Sequence, residues 1–217
     1  MLGNPAEIDK TAIELFNVEG KYKKTDIVHN TRFKNLEIIP SNLSLSKAEL
    51  YTSQIINAHT RLNDYLHQVV FMYDYVIIDC PPSLGLFTLN ALIASDYVMI
   101  PVVPEKYAVM AVSQMMETIK IARSFNDKLQ LAGIVPSILD MRYRIHRSTM
   151  DTLKANFGNL LLTDYYIGTN APLKDAANVK KTIFEYETRA ASYKQFQNLA
   201  QYVYRLLRAD ENAEKGS

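Results

Sequence analysis

The 217-residue chain sets 24 Lys and Arg against 23 Asp and Glu, a net charge of +1, so no global field draws it to nucleic acid or anionic lipid and any such contact needs a local patch. Apolar residues make up 48% of it, enough for a substantial core in one large domain, read here as residues 1–208 with a polar, frayed tail over 209–217. A single cysteine, Cys80, excludes an intramolecular disulfide, and no window approaches the ~18 uninterrupted apolar residues of a spanning helix, so a soluble protein of a reducing cytoplasm is expected.

In chain order, residues 36–39 form a short apolar run closed by Pro40. Ser46, with Glu49 three residues later, has capping-box spacing, which predicts a helix running to about Val69. Tyr75-Val76-Ile77-Ile78-Asp79 stays apolar up to its carboxylate and breaks at Pro81-Pro82, the pattern of a parallel strand buried on both faces. Residues 97–103 and 131–135 read the same way, and between them Val109, Val112, Met116 and Ile119 fall at helical spacing. Residues 147–157 predict a helix and 160–167 a strand, while Tyr193, Phe196, Leu199, Val203 and Leu206 form one stripe of a closing helix. Alternating short apolar strands and amphipathic helices predict an α/β fold, a doubly wound and mostly parallel sheet flanked by helices. Its ligands belong beyond the carboxyl ends of the strands.

Asp79 stands where an apolar strand leaves the sheet, followed by a stiff prolyl turn and the flexible Gly85. A carboxylate there can hold magnesium directly or through water, or it can cap the helix beginning near Leu84; both readings stay open on these residues. Met141-Arg142-Tyr143-Arg144-Ile145-His146-Arg147 concentrates three arginines with a tyrosine, and Lys174, Lys180, Lys181 and Arg189 could extend that basic surface. It is either a surface for nucleic-acid phosphates or a solvated helix start whose arginines pair with carboxylates. The four histidines, at 29, 59, 67 and 146, show no metal-ligand spacing with acids or with Cys80.

The segment Asp79-Cys80-Pro81-Pro82-Ser83-Leu84-Gly85, then Thr88-Leu89-Asn90-Ala91-Leu92, closely resembles the Walker B and switch II region of ParA/Soj-type partitioning ATPases in the MinD/ParA superfamily. The likeness continues through Ala94-Ser95-Asp96, Ile100-Pro101-Val102-Val103-Pro104-Glu105, Gly133-Ile134-Val135-Pro136-Ser137 with Asp140, Asn156-Phe157-Gly158 and Phe184-Glu185-Tyr186, in family order. Ile38-Ile39-Pro40-Ser41-Asn42 also resembles the family segment ahead of Walker B. This resemblance implies an ATP- and Mg2+-dependent dimerising switch in the cytoplasm, associated with the nucleoid. It would hold nonspecific DNA as a homodimer and be released by a ParB-type centromere-binding partner. On that reading Asp79 holds magnesium and positions water, Pro81, Pro82, Ser83 and Gly85 belong to the switch that senses the γ-phosphate, and Pro104, Glu105 and Asn170 lie near the nucleoside.

Two departures from the family pattern matter. None of the seven glycines, at 3, 20, 85, 133, 158, 168 and 216, opens a phosphate-binding Gly-x-x-x-x-Gly-Lys-Ser/Thr loop, and Met1 to Asn4 aligns just after the family's second strand. The expectation is an open sheet edge beside residues 76–79 and no ATP turnover by this chain alone, with a noncatalytic interaction module as the alternative function. At Ile167-Gly168-Thr169-Asn170-Ala171-Pro172-Leu173, Thr169 replaces the family's arginine, so Arg142, Arg144 and Arg147 become the candidate DNA contacts, with Lys180 and Lys181 as the competing set. No membrane contact is expected, because the closing helix is followed by acidic residues rather than a basic face.

Overall fold

The computed structural model describes residues 10–16, 26–42, 45, 49, 52 and 57–215, the last five by backbone alone. They fall into two compact units, Met1–Asp96 with Thr118–Leu129 and Tyr97–Glu117 with Gln130–Ser217.

In the first unit, β1 (His29–Asn30) and β2 (Glu37–Ile38) form an antiparallel hairpin in which His29 pairs with Ile38. Asn35 takes the left-handed conformation at φ 61°, which its short polar side chain tolerates, and Thr31 Oγ1 donates to the Leu36 carbonyl at 2.7 Å. A 3-10 turn at Ala12–Phe16 supplies Leu15 and Phe16 to a core completed by Ile27, Tyr65, Val69 and Phe87, with the Phe16 and Phe87 rings edge to face at 4.8 Å. Edge-to-face pairing places a positive ring edge on a negative ring face, which adds to the burial itself.

The single helix expected to run to Val69 is not continuous. Asn57 has φ 61° and Thr60 N donates to Asn57 O, so the chain turns and starts afresh as α1 (Arg61–Leu66) before a further 3-10 turn at Val70–Met72. Asn favours such left-handed turns because its side chain competes for backbone hydrogen bonds. The helix start at Ser46 lies outside the described residues.

The larger correction concerns residues 75–79. They form no strand and join no sheet, and Tyr75, Val76 and Ile77 are exposed, Ile77 at 94%. An apolar run of this kind becomes a buried strand only when neighbouring strands pair with it, and no described residue does so. At its upstream end the Tyr73 hydroxyl donates to Glu37 on β2, and this bond, followed by burial, pushes the Tyr73 pKa up to about 12. Beyond residue 79 the chain enters α2 (Leu86–Ile93), most of which is buried.

The second unit is the parallel sheet. β3 (Tyr97–Val102) pairs in parallel with β4 (Gln130–Leu139), which pairs in parallel with β5 (Ile167–Gly168), and α3 (Ala108–Ala122) makes the crossover from β3 to β4. Among the described residues β3 has no neighbour on its other edge. The core includes Ile100, Val102, Val112, Ile134, Val135, Leu153 and Ile167. Burying each such side chain contributes roughly 1.5–3 kcal/mol.

A bulge sets the β3–β4 register. Val98 faces Leu131 while Met99 faces Gly133, so Ala132 is the extra residue, and its carbonyl accepts the Tyr202 hydroxyl at 2.6 Å. Gly133 has φ 150°, and a Cβ there would lie 2.6 Å from the Leu162 side chain, so no other residue fits. Residues 160–167, expected as one strand, divide into a single bridge from Leu161 to Ile134 and the two-residue β5, with turns at Thr163 and Tyr165 between them.

Four helices complete this unit: α4 (Arg144–Phe157), α5 (Ala171–Asn178), α6 (Ile183–Tyr186) and α7 (Ala191–Lys215). α4 starts three residues earlier than its apolar pattern suggests. α6 begins with a complete capping box between Thr182 and Glu185, a Thr-x-x-Glu spacing visible in the sequence. The polar tail is not frayed from residue 209. The α7 backbone stays helical to Lys215, through Ala, Glu and Lys residues of high helix propensity, and Asp210 accepts bonds from Tyr97 on β3 and from Gln130 on β4.

Candidate functional site

Candidate residues 79–85 belong to the first unit, and the two halves of this segment are held differently. Upstream, Asp79, Cys80, Pro81 and Pro82 are exposed, and no hydrogen bond joins the Asp79 carboxylate to another described residue. Although Cys80 lies at the surface, the protein around its thiol, and then the neighbouring Asp79 charge, push its pKa up, which disfavours the reactive thiolate. Downstream, the buried Thr88 hydroxyl donates to the Ser83 carbonyl, and Gly85 is the N-cap of α2.

Asp79 does not cap that helix. The Oε1 atom of Glu49 does, accepting the Leu86 N–H at 2.7 Å from a position 37 residues away. Asn90, 1% exposed, holds the middle of α2. Its amide nitrogen donates to Ala58 O at 2.8 Å and to Leu86 O, and its oxygen accepts Leu62 N at 3.1 Å. At the far end the Asn126 amide donates to the carbonyls of Ile93 at 3.0 Å and Ser95 at 2.8 Å, satisfying groups that a helix C-terminus leaves open.

As a metal ligand, Asp79 offers a hard, exposed oxygen donor, and no group of three or more His, Cys, Asp or Glu capable of holding a metal occurs among the described residues. One carboxylate with several waters fits magnesium and does not fit zinc.

In the second unit, parallel pairing brings the carboxyl ends of β3, β4 and β5 to one sheet edge, which carries Pro104 and Glu105, then residues 137–147, then Thr169 and Asn170. Pro104 is fully buried. Glu105 is exposed in a tight turn, its N–H donating to Val103 O at 2.8 Å, and it borders an open cleft of about 400 Å³ with Val103, Lys106 and Tyr107. At the end of β4, Ile138 has φ 54°, an uncommon conformation for a β-branched residue, and sits in a register shift against β5. Thr169 closes this kink, donating from its hydroxyl to Ile138 O at 3.1 Å and from its N–H to Leu139 O at 2.9 Å. Asn170 is the N-cap of α5 yet makes no capping bond, and its Oδ1 is buried without a protein partner among the described residues.

The arginine cluster is partly committed internally. Arg142 grips Asp140 through Nε at 2.9 Å and Nη2 at 2.6 Å, and this pairing, together with the Arg142 N–H, lowers the Asp140 pKa from 3.8 to about 2. The Asp140 N–H donates to His146 Nδ1 at 3.0 Å, which fixes the tautomer with its proton on Nε2. Arg147 Nη1 donates to the carbonyls of Met141 and Arg142. Arg144 is exposed at the first turn of α4. Lys180 and Lys181 close α5 in a Schellman arrangement, with Lys181 N to Ala176 O, Lys180 N to Ala177 O and Lys180 at φ 57°. Both lysines are exposed.

A parallel sheet flanked by helices, with its chemistry-bearing residues beyond the strand ends, is the architecture of α/β nucleoside triphosphatases. A family model described as an AAA domain matches residues 3–131. Soj of Bacillus subtilis (strain 168), a sporulation initiation inhibitor protein, is 36% identical over 179 residues, covering 82% of this chain and 70% of Soj. The chromosome partitioning protein ParA of Caulobacter vibrioides (strain NA1000 / CB15N) is 31% identical over 187 residues, covering 85% of this chain and 70% of that protein. Among solved structures, cobyrinic acid a,c-diamide synthase from Mycobacterium smegmatis with an ATP analogue and magnesium is 28% identical with a TM-score of 0.63, covering 72% of this chain and 63% of that one. The chain belongs to the ParA/Soj family of MinD/ParA-type ATPases.

Proposed function

We propose that this chain is the switch-bearing part of an ATP-dependent partitioning protein, a homodimerising DNA-binding ATPase that acts on the nucleoid in the cytoplasm with a ParB-type centromere-binding partner. The observation that carries the reading is the asymmetry of residues 79–85: an exposed carboxylate arm joined to a firmly held helix start, within a sequence of this family. Asp79 is assigned to Mg2+ and water positioning. Pro81, Pro82, Ser83 and Gly85 are assigned to sensing the γ-phosphate, and Pro104, Glu105 and Asn170 to the nucleoside. When bound, magnesium would neutralise phosphate charge, and the share of this chain is to hold its carboxylate in place and move the arm.

The phosphate cradle has to come from residues this sequence lacks, since none of its glycines opens a Gly-x-x-x-x-Gly-Lys loop. The test is to supply a phosphate-loop block from a close relative, fused ahead of Met1 or added as a separate fragment, and to measure ATP binding and thermal unfolding. Both should rise, and the chain alone should release no phosphate above background. Steady phosphate release by the chain alone that is abolished by Asp79→Ala would overturn the assignment.

For DNA, Arg142, Arg144 and Arg147 are the proposed duplex contacts, reached from the ligand-bearing sheet edge. Replacing all three with alanine in the completed, ATP-bound protein should lower the log–log salt slope of binding by roughly 2 to 3 units at every sequence. An unchanged slope there, with a reduced slope in Lys180→Ala/Lys181→Ala, moves the DNA surface to the end of α5. A noncatalytic module that binds the partner or a complete subunit is the second reading.

A further inference from the structure

We infer that Glu49 is the positioning residue of the switch, fixing the downstream end of residues 79–85 so that movement of the Asp79 arm pivots near Ser83 and leaves α2 in place. The inference rests on reading residues 79–85 as a switch. The anchor itself stands on three local observations.

The first is an unmet need. A helix begins with N–H groups that have no partner within it, and the residue at the N-cap of α2 is Gly85, which has no side chain to accept one. The Glu49 carboxylate fills that role from a remote part of the chain, placing a full negative charge where the helix dipole is positive.

The second is the reason for glycine at position 85. Its φ of −87° and ψ of −160° are ordinary extended values, so backbone freedom does not require glycine. What glycine leaves open is room for the carboxylate: a Cβ at this position would lie 2.0 Å from Glu49 Oε1 and would push it aside. Gly85, which reads in sequence as a flexible residue of the switch, leaves the gap that admits the carboxylate.

The third is independence. Asn90 ties α2 to Ala58 and Leu62, and Asn126 closes its carboxyl end, so the helix keeps its place without Glu49. Glu49 and the Thr88 hydroxyl therefore act on the segment where the switch joins the helix, while nothing comparable among the described residues holds Asp79.

The test is amide hydrogen exchange by NMR on the full chain, without nucleotide, in Glu49→Ala, Glu49→Gln and Gly85→Ala. The Leu86 N–H has no partner inside the helix, so its protection reports the Glu49 bond. Exchange of Leu86 should accelerate at least tenfold in Glu49→Ala and in Gly85→Ala. In Glu49→Gln, whose amide oxygen still accepts but carries no charge, it should accelerate less, with the Leu86 amide proton resonance between those of wild type and Glu49→Ala. The Leu62 N–H, held by Asn90, should keep its protection in all three. Unchanged Leu86 exchange in Glu49→Ala overturns the proposal, because the bond then does not protect the helix start in solution. Loss of Leu62 protection together with Leu86 overturns it too, since Glu49 would then support the whole unit and not the switch. Failure of ATP binding in the completed protein would remove the switch reading and leave these exchange results standing, so the two can be told apart.

Discussion

Residues 75–79 and 97–102 are alike in sequence, each opening on tyrosine and valine, running on through apolar side chains and followed two residues later by a proline, Pro81 and Pro104. One is β3, paired with β4 and holding Ile100 at 6% exposure; the other is a segment without secondary structure, with Ile77 at 94%. Their difference teaches that a strand is a relation and not a property of a segment. An apolar run acquires burial and a hydrogen-bond ladder only from neighbours, and residues 75–79 have none among the described residues.

The strongest challenge to this contrast is Ile134→Ala. Ile134 is fully buried in the strand that gives β3 its partner, and truncating it should cost about 3–4 kcal/mol in urea unfolding, with Ile77→Ala as the opposite arm. Next comes Gly133→Ala, which forces a side chain into the bulge against Leu162 at φ 150° and should cost about 2 kcal/mol by the same measurement. A smaller effect is expected from acid. The Asp140 carboxyl is ionised down to about pH 2 when folded, against an ordinary value of 3.8, so its contribution is complete above about pH 4 and disappears as pH falls toward 2. Asp140→Asn should flatten that part of the stability–pH curve, and an unaltered curve would mean the Arg142 grip is not kept in solution. Lys180→Gly, which relieves a left-handed lysine at the end of α5, should stabilise by about 0.5–1 kcal/mol while removing one charge. Smallest of all, Ile77→Ala should change unfolding by no more than about 0.5 kcal/mol. A loss comparable to that at Ile134 would show that residues 75–79 are buried after all.

The elements legible in the sequence are those whose strand neighbours lie among the described residues. The runs leading to β3 and β4 and the stripe of α3 fold as their periodicity indicates, because the crossover places both strands side by side. The two-residue β5 was overextended in the reading, since Leu161 and Ile167 are both apolar and both touch β4, and the turn between them carries no proline or glycine to mark it. For the candidate site, the Arg142–Asp140 pair lies two residues apart and was foreseeable as the pairing alternative. The Glu49–Leu86 bond could not be foreseen, because a contact across 37 residues leaves no local spacing. The Thr182–Glu185 box does leave one, because both of its partners lie within a single turn.

The grip of Asp210 on Tyr97 and Gln130 has a consequence for how the protein is made. The first strand of the parallel sheet is fastened at its beginning by a residue 113 positions later. During synthesis β3 and β4 emerge long before that carboxylate, so this tie between the two strand starts and α7 closes only after residue 210 has left the ribosome. Long-range closure of this kind slows folding and lengthens exposure to misassociation, so a ribosome stalled short of Asp210 should hold a nascent chain in which residues 97 and 130 are less protected from protease than in the released protein.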